Sequence, residues 1–211
     1  MLHLLFPPKC VLCRKILKKN QQDLCDDCRK HTQNFTKAKR NIPFVAHWTC
    51  LWYYKDNVAK SIQRYKFGAC RHYAPIYAQY MAARISEDFK EDFNIISWVP
   101  VSRLRRFRRG YDQSQLLAME IAKLYNHKSV QVLKKVRHNR PQSGIAEPAR
   151  RRANVLGAYK VLDAELVRGK RILLVDDVIT TGATTSECAR TLLIAGAKSV
   201  SCIAVASAVR Q

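Results

Sequence analysis

The fold of this chain is decided by the stretch Ile172-Leu173-Leu174-Val175-Asp176-Asp177-Val178-Ile179-Thr180-Thr181-Gly182-Ala183-Thr184. An apolar run that ends in two carboxylates predicts a buried parallel strand, and the hydroxyl-rich turn with Gly182 predicts the start of a helix. Ligands of α/β sheets bind where the strands end. Backbone amides at a helix N-terminus favour a phosphate, and adjacent carboxylates accept hydrogen bonds from sugar hydroxyls or hold Mg2+. The stretch therefore predicts a site for a phosphorylated sugar.

The remaining sequence predicts strands that alternate with helices, which favours an α/β fold with a parallel sheet flanked by helices. Helical spacing is found over residues 56–66, 73–89, 112–124 and 183–195. Strands are predicted at residues 44–54, 94–101, 130–133, 158–162, 171–175 and 200–205. Residues 134–152 predict a long basic loop.

Four of the eight cysteines fall within the first 28 residues. Cys10-x2-Cys13 and Cys25-x2-Cys28 have the paired spacing of a structural zinc site, in which four thiolates complete a tetrahedral shell. Unligated thiols, a redox pair and an iron-sulfur centre are the alternatives. The other four cysteines are dispersed and are expected to be buried as small apolar side chains. A change of composition predicts two parts, a zinc module with a basic linker at residues 1–41 and a larger domain at residues 42–211.

The chain is strongly basic, with 38 Lys and Arg against 16 Asp and Glu, a formal net charge of +22. Residues 101–157 contain 14 basic and three acidic residues, so half of the net charge lies in about a quarter of the chain. This imbalance favours a polyanionic partner such as nucleic acid or a phosphorylated small molecule.

The densest basic stretch contains five arginines with two aromatic residues between or beside them. Its candidate binding residues are Arg103, Arg105, Arg106, Phe107, Arg108, Arg109 and Tyr111. Guanidinium groups bind phosphates and aromatic faces stack bases, so the segment predicts a groove for single-stranded nucleic acid. A clamp for pyrophosphate and a solvated basic loop are the alternatives. Arg137, Arg140 and Arg150 to Arg152 are candidates to extend the same surface.

The sequence contains no stretch of the ~20 apolar residues that a membrane-spanning helix needs. Residues 1–6 are too short for the apolar part of a signal peptide and are followed by Pro7 and Pro8. We therefore expect a cytoplasmic protein without a membrane span.

The acidic-pair loop resembles the ribose-phosphate signature of type I phosphoribosyltransferases continuously from Val175 to Thr184. It lacks the lysine of a Walker loop and the glycine pattern of dinucleotide sites. The resemblance implies that Asp176 and Asp177 contact the ribose hydroxyls of phosphoribosyl pyrophosphate, bound with Mg2+. It implies that the 5-phosphate is wrapped by Thr180, Thr181, Gly182, Ala183 and Thr184.

The order of motifs along the whole chain is similar to that of the ComF family of bacterial competence proteins. The motifs are Leu5-Phe6-Pro7, the two cysteine pairs, Tyr65-Lys66-Phe67-Gly68, Val99-Pro100-Val101, residues 109–114, residues 137–144 and the acidic-pair loop. This resemblance implies a type I phosphoribosyltransferase-like parallel sheet with a small N-terminal zinc-ribbon module. Ser102 and Asp112 depart from the family pattern, which commonly has proline and asparagine there. Asp112 is expected to place a negative charge beside the arginines.

Three functions are compatible with these features. The ComF resemblance implies handling of single-stranded DNA during natural transformation, with a phosphoribosyl pyrophosphate and Mg2+ site and with other DNA-uptake proteins as partners. The loop also supports an active phosphoribosyltransferase that transfers ribose 5-phosphate to a base or amine. A zinc-ribbon adaptor for protein partners is the third interpretation.

Overall fold

A computed structural model describes residues 7–36, 41–90, 92–137 and 155–208. The helices of the described residues are α1 (Asp26–His31), α2 (Asp56–Phe67), α3 (Tyr73–Asp88), α4 (Arg103–Arg109), α5 (Gln113–Leu124), α6 (Ala164–Val167) and α7 (Ala183–Ile194). The strands are β1 (Trp48–Tyr53), β2 (Ile95–Trp98), β3 (Leu133–Lys135), β4 (Tyr159–Val161), β5 (Arg171–Ile179) and β6 (Ser199–Ser207).

A parallel sheet with strand order β1-β6-β5-β2 forms the centre of the protein. Side chains of β5 alternate between its two faces, with Leu173 and Val175 in one apolar cluster and Ile172 and Leu174 in the other. Helices α3 and α5 contribute to the first cluster and α7 to the second. The predicted fold, a parallel sheet flanked by helices, is confirmed.

Strand β5 is longer than the sequence predicts, because its neighbour β6 continues to pair with it beyond the apolar run. Asp176 lies opposite Ala204 and Ile179 lies opposite Ser207. The two carboxylates are therefore inside the strand, near its carboxyl end, instead of following it.

The strand predicted at residues 130–133 is displaced along the chain. Ser129 forms only an isolated bridge with Ile96, and the strand itself is β3. It pairs with β4 in a separate antiparallel sheet, so Lys134 and Lys135 lie in a strand and not in the predicted basic loop. Residues 138–152 of that loop lie outside the described residues.

The N-terminal segment packs directly against the larger part of the protein. Cys10, Val11 and Leu12 are completely buried in the same apolar cluster as Ile62 of α2 and Tyr77 of α3. The module thus shares its core with the sheet and the helices that cover it. Residues 5 and 6 of the Leu5-Phe6-Pro7 motif lie outside the described residues.

The chain that follows α1 runs along the outer edge of β1. The Phe35 amide donates to the Leu51 carbonyl at 2.8 Å, and Asn34 forms an antiparallel bridge with Trp52. The Phe35 ring lies 5.3 Å from the ring centroids of Trp48 and of Tyr53. This segment both pairs with the edge strand and covers its aromatic side chains.

Across the described ranges, no helix is both long and apolar enough to span a bilayer.

Candidate functional site

The four N-terminal cysteines form a closed cluster, with all four Sγ atoms within 4.8 Å of one another. Tetrahedral zinc with ligand distances of about 2.3 Å places its sulfurs about 3.8 Å apart, so the cluster fits this ion. Burial alone would raise the pKa of Cys10, but the backbone amides of Cys13, Cys25 and Leu12 outweigh it and lower the pKa to about 7. The pKa values of Cys13 and Cys28 are raised instead, chiefly by burial, so the closed geometry of the cluster, and not the acidity of its thiols, indicates the metal site. Of the other cysteines, Cys50, Cys188 and Cys202 are buried as expected, whereas Cys70 is partly exposed.

The acidic pair near the end of β5 is held by side chains from two other elements. The Asp176 Oδ1 atom accepts hydrogen bonds from the Ser114 hydroxyl at 3.0 Å and from the Asp177 amide at 2.8 Å. The Lys66 ammonium lies 3.0 Å from the Asp177 Oδ1 atom, and these two side chains are only 20% and 11% exposed. Burial, and then the negative charge of Asp177, raise the pKa of Asp176 to about 7.

The turn after β5 has the backbone conformation that only glycine adopts without strain. Gly182 has a φ of +76° and precedes the first residue of α7. A Cβ atom there would lie 2.9 Å from the Ile42 side chain, so close packing also requires glycine. Thr180 and Thr184 line the cleft described below, whereas the Thr181 hydroxyl accepts a hydrogen bond from the Ala183 amide at 3.4 Å.

The arginine segment forms the short helix α4 and is not a loop. The Ser102 hydroxyl accepts a hydrogen bond from the Arg105 amide at 3.4 Å, and Gly110 ends the helix with a φ of +74°. Ser102 therefore acts as the N-cap, a role that proline, which has no side-chain oxygen, cannot fill. Its departure from the family pattern has a local structural reason.

A cleft of about 840 Å³ joins the two sites that the sequence predicts separately. One wall contains the acidic pair with Thr180 and Thr184, and α4 contributes another wall. The arginines that line the cleft are Arg105, Arg108 and Arg109. Three other residues of α4 are exposed but do not line the cleft: Arg103, Arg106 and Phe107, of which Phe107 is 87% exposed.

Several cleft residues were not among the predicted site residues, including Lys66, Ser114, Lys135 and Tyr159. Lys66 and Ser114 fall inside motifs that the sequence does offer, Tyr65-Lys66-Phe67-Gly68 and residues 109–114. Lys135 and Tyr159 meet only because β3 pairs with β4, and the Lys135 ammonium donates to the Tyr159 hydroxyl at 3.1 Å. Burial, and then the charge of Arg105, lower the pKa of Lys135 to about 8.

The prediction that Tyr111 stacks a base is wrong, because only 6% of this residue is exposed. Its hydroxyl donates to the Tyr65 carbonyl, and the Arg71 guanidinium lies 4.7 Å from its ring centroid. Tyr65 itself is fully buried and its hydroxyl donates to the Gln113 carbonyl at 2.8 Å. Phe67, in contrast, lines the cleft and is 71% exposed.

Asp112 does not present the exposed charge beside the arginines that the sequence predicted. Asp112 is 4% exposed and accepts hydrogen bonds from the Val101 amide at 3.0 Å and the Gln115 amide at 3.2 Å. It caps α5 as the sequence predicts, and its burial raises its pKa.

Among the candidates for an extended basic surface, Arg137 donates to the Leu156 carbonyl at 3.0 Å. Arg140 and Arg150 to Arg152 lie outside the described residues.

Comparison with known proteins matches both parts of the chain. Residues 112–211 match the phosphoribosyl transferase domain family, and residues 1–40 match the double zinc ribbon domain family. Competence protein F of Haemophilus influenzae is 26% identical over 216 residues, which cover 91% of this chain and 93% of that protein. Competence protein ComFC of Bacillus subtilis is 26% identical, with 89% of this chain and 78% of that protein covered.

These relatives, the two matched domains and the four clustered cysteines together support a ComF family protein. The four clustered cysteines lie in the segment that matches the double zinc ribbon family, which supports a structural zinc site. The sheet has the type I phosphoribosyltransferase fold. DNA utilization protein YhgH of Escherichia coli O157:H7 is 36% identical to this chain over 104 residues, which are 48% of this chain and 44% of that protein. A solved structure described as the allosteric regulatory enzyme of purine biosynthesis is 24% identical with a TM-score of 0.41, over 63% of this chain and 25% of that one.

Proposed function

We propose that this protein handles single-stranded DNA along α4 during natural transformation and binds phosphoribosyl pyrophosphate with Mg2+ in the cleft that α4 borders. The names of its relatives support a role in competence. The observation that carries the proposal is that the acidic pair and three arginines of α4 line one cleft. We place the protein in the cytoplasm with other DNA-uptake proteins as partners, and divide it into a zinc module at residues 1–41 and a phosphoribosyltransferase-like domain at residues 42–211.

The sugar-phosphate part of the proposal rests on the turn after β5 and on the two carboxylates. The N-terminus of α7 offers backbone amides and its positive dipole end to a 5-phosphate, and Thr180 and Thr184 add hydroxyl donors. Asp176 and Asp177 accept hydrogen bonds from the ribose hydroxyls. Their oxygens suit Mg2+, which neutralises the charge of the pyrophosphate when it is bound.

The DNA part of the proposal rests on the face of α4 that does not line the cleft. Arg103 and Arg106 are exposed there, and so is the ring of Phe107 between neighbouring cations. Guanidinium groups that neutralise the backbone and an aromatic face that stacks a base are the parts of a sequence-tolerant single-strand site. The strand is thus expected to pass over α4 at the mouth of the cleft.

The proposal is tested by the fluorescence anisotropy of a labelled single-stranded oligonucleotide. The measurement is made over a salt series, with and without Mg2+ and phosphoribosyl pyrophosphate. Binding is expected to weaken steeply with salt because bound counterions are released from the strand. Affinity that does not depend on salt, or no binding at low salt, contradicts the DNA part. Phe107→Ala should weaken binding by about 1–3 kcal/mol, the usual contribution of one stacked base, while Leu104→Ala on the same helix serves as its control.

A transferase reaction is the second candidate, favoured by the position of Arg105, Arg108 and Arg109 in the cleft with the acidic pair. In this reaction an acceptor nitrogen forms a bond to the anomeric carbon, and the bond from that carbon to the pyrophosphate oxygen breaks. The arginines would stabilise the departing pyrophosphate, and the carboxylates would steady a sugar that gains positive charge. Release of pyrophosphate in a screen of bases and amines tests it, and release no faster than without protein contradicts it.

A further inference from the structure

Helix α2 places three polar side chains against the zinc module. Asn57, Ser61 and Arg64 are spaced four and three residues apart, so they lie on one face of the helix. The Arg64 guanidinium donates to the Leu12 carbonyl at 2.5 Å and to the Val11 carbonyl at 3.2 Å. Both carbonyls belong to the turn between Cys10 and Cys13.

Two further contacts strengthen this junction. The Ser61 hydroxyl, which is fully buried, donates to the same Val11 carbonyl. The Asn57 amide lies 3.8 Å from the Cys28 Sγ atom, a distance that suits a hydrogen bond to a ligating thiolate. Groups that hydrogen-bond the ligands and the turns around a metal fix the ligand geometry. Formation of the zinc site therefore also fixes α2.

The last turn of the same helix reaches the cleft. Lys66 pairs with Asp177, and the Arg109 guanidinium lies 4.8 Å from the centroid of the Phe67 ring. Tyr65, which precedes these two residues, donates through its hydroxyl to the Gln113 carbonyl. The Tyr65 carbonyl accepts a hydrogen bond from the Tyr111 hydroxyl. A helix of 12 residues is about 18 Å long and moves as a rigid body, so its two ends are mechanically linked.

We propose that Arg64 is a positioning residue that couples the zinc site to the cleft through α2. It anchors the helix on the cysteine turn and so holds Lys66 against Asp177. Such coupling is reciprocal, since a ligand that stabilises the Lys66 end must strengthen zinc retention by the same factor. The ligand part of this inference rests on the proposed function, whereas the structural part does not.

The test uses the full zinc-loaded chain and three variants. Arg64→Met removes the guanidinium, with its two hydrogen bonds to the cysteine turn and its contact with the Tyr73 hydroxyl, and keeps most of the aliphatic stem. Arg64→Lys restores a charge and a donor. Lys60→Met makes the same change of charge on an exposed residue of α2 and is the matched control. Hydrogen exchange of the unliganded proteins is followed at residues 64–68 and 176–178, together with the rate of zinc transfer to a chelator with and without phosphoribosyl pyrophosphate and Mg2+.

Arg64→Met is expected to speed exchange at residues 64–68 and to remove the ligand's effect on zinc release, with partial recovery in Arg64→Lys and no change in Lys60→Met. In the wild type the ligand should slow zinc release by about fivefold or more, the lower end of usual coupling between sites. Unchanged exchange in a folded Arg64→Met variant overturns the coupling. If the wild type binds no sugar phosphate, the proposed function fails and the exchange data alone decide the coupling. If Arg64→Met does not fold, the same comparison is made between Arg64→Lys and the wild type.

Discussion

Lys66 supplies the counter-charge for an acidic pair that burial disfavours. Asp176 and Asp177 are adjacent in β5, and burial together with their mutual repulsion raises the pKa of Asp176 to about 7. Lys66 and the Ser114 hydroxyl both oppose this rise. Near neutral pH the pair therefore changes its charge, and ligands that need two carboxylates should bind better as the pH increases.

Replacement of Asp176 by asparagine should change how stability depends on pH. The folded-state pKa of Asp176 lies above its ordinary value of 3.8, so its protonated form is favoured by folding, and its contribution to stability is lost as the pH rises through about 7. Asparagine does not ionise. We expect the stability of Asp176→Asn relative to the wild type to increase by about 2–3 kcal/mol between about pH 5 and about pH 8, measured by urea unfolding without ligand.

Asp92→Asn is the control for this measurement, since Asp92 is exposed and does not line the cleft. Parallel stability profiles of wild type and Asp176→Asn between the two pH values would show that Asp176 does not titrate in this window.

At the scale of elements, α4 divides its arginines between two surfaces. Arg105, Arg108 and Arg109 line the cleft, whereas Arg103 and Arg106 are exposed outside it. This division follows from helical spacing, because residues three and four apart share a face. The composition suggests one basic surface, whereas the structure has two, and each can contact a different ligand.

A pair of double variants can separate these surfaces. Arg103→Gln with Arg106→Gln should weaken single-stranded DNA binding and reduce the number of counterions released on binding by about two. Binding of phosphoribosyl pyrophosphate should be retained. Arg105→Gln with Arg108→Gln should weaken binding of the sugar phosphate as well. Calorimetry for the small ligand and anisotropy for DNA provide the two readings. Both double variants remove two charges. If each variant loses the same affinity for DNA and for the sugar phosphate, the assignment of the two surfaces to different ligands is contradicted.

The sequence predicted those elements whose signals are local. The apolar run of β5, the glycine turn and the spacing of α7 lie within about twenty consecutive residues, so their order alone defines them. Helix α4 was missed because its composition is dominated by arginine, although its Ser102 cap and its Gly110 end were both readable.

Contacts between distant segments were not predictable in this way. Nothing local indicates that Lys66 meets Asp177, 111 positions later, or that Lys135 meets Tyr159. Tyr111 was misassigned because an aromatic residue beside arginines has the same sequence signature whether it faces solvent or the core. Its burial depends on Tyr65, which belongs to another helix.

At the scale of the whole molecule, the zinc module and the sheet share one apolar cluster. Cys10, Val11 and Leu12 are buried together with side chains of α2 and α3. Zinc ligation contributes directly to the folding free energy of small modules. Loss of the metal should therefore destabilise more than the first 41 residues.

Removal of zinc with a chelator should lower the midpoint of one common thermal transition by several degrees, about the effect of 1–2 kcal/mol on a chain of this size. Calorimetry with and without chelator measures this, and restoration of the midpoint by added zinc is the control. A separate low-temperature transition for the module, with an unchanged main transition, contradicts a shared cooperative unit.

The segment that covers β1 also protects the protein from aggregation. An uncovered edge strand exposes unpaired amides and carbonyls that recruit the same edge of another molecule. Without Asn34 and Phe35, β1 would offer such an edge beside the rings of Trp48 and Tyr53. Phe35→Pro, which removes the amide that pairs with Leu51, should make the full chain scatter light increasingly with concentration, whereas Phe35→Leu, which keeps this amide, should scatter less. The segment at Asn34 and Phe35 is thus also expected to prevent β1 of one molecule from pairing with β1 of another.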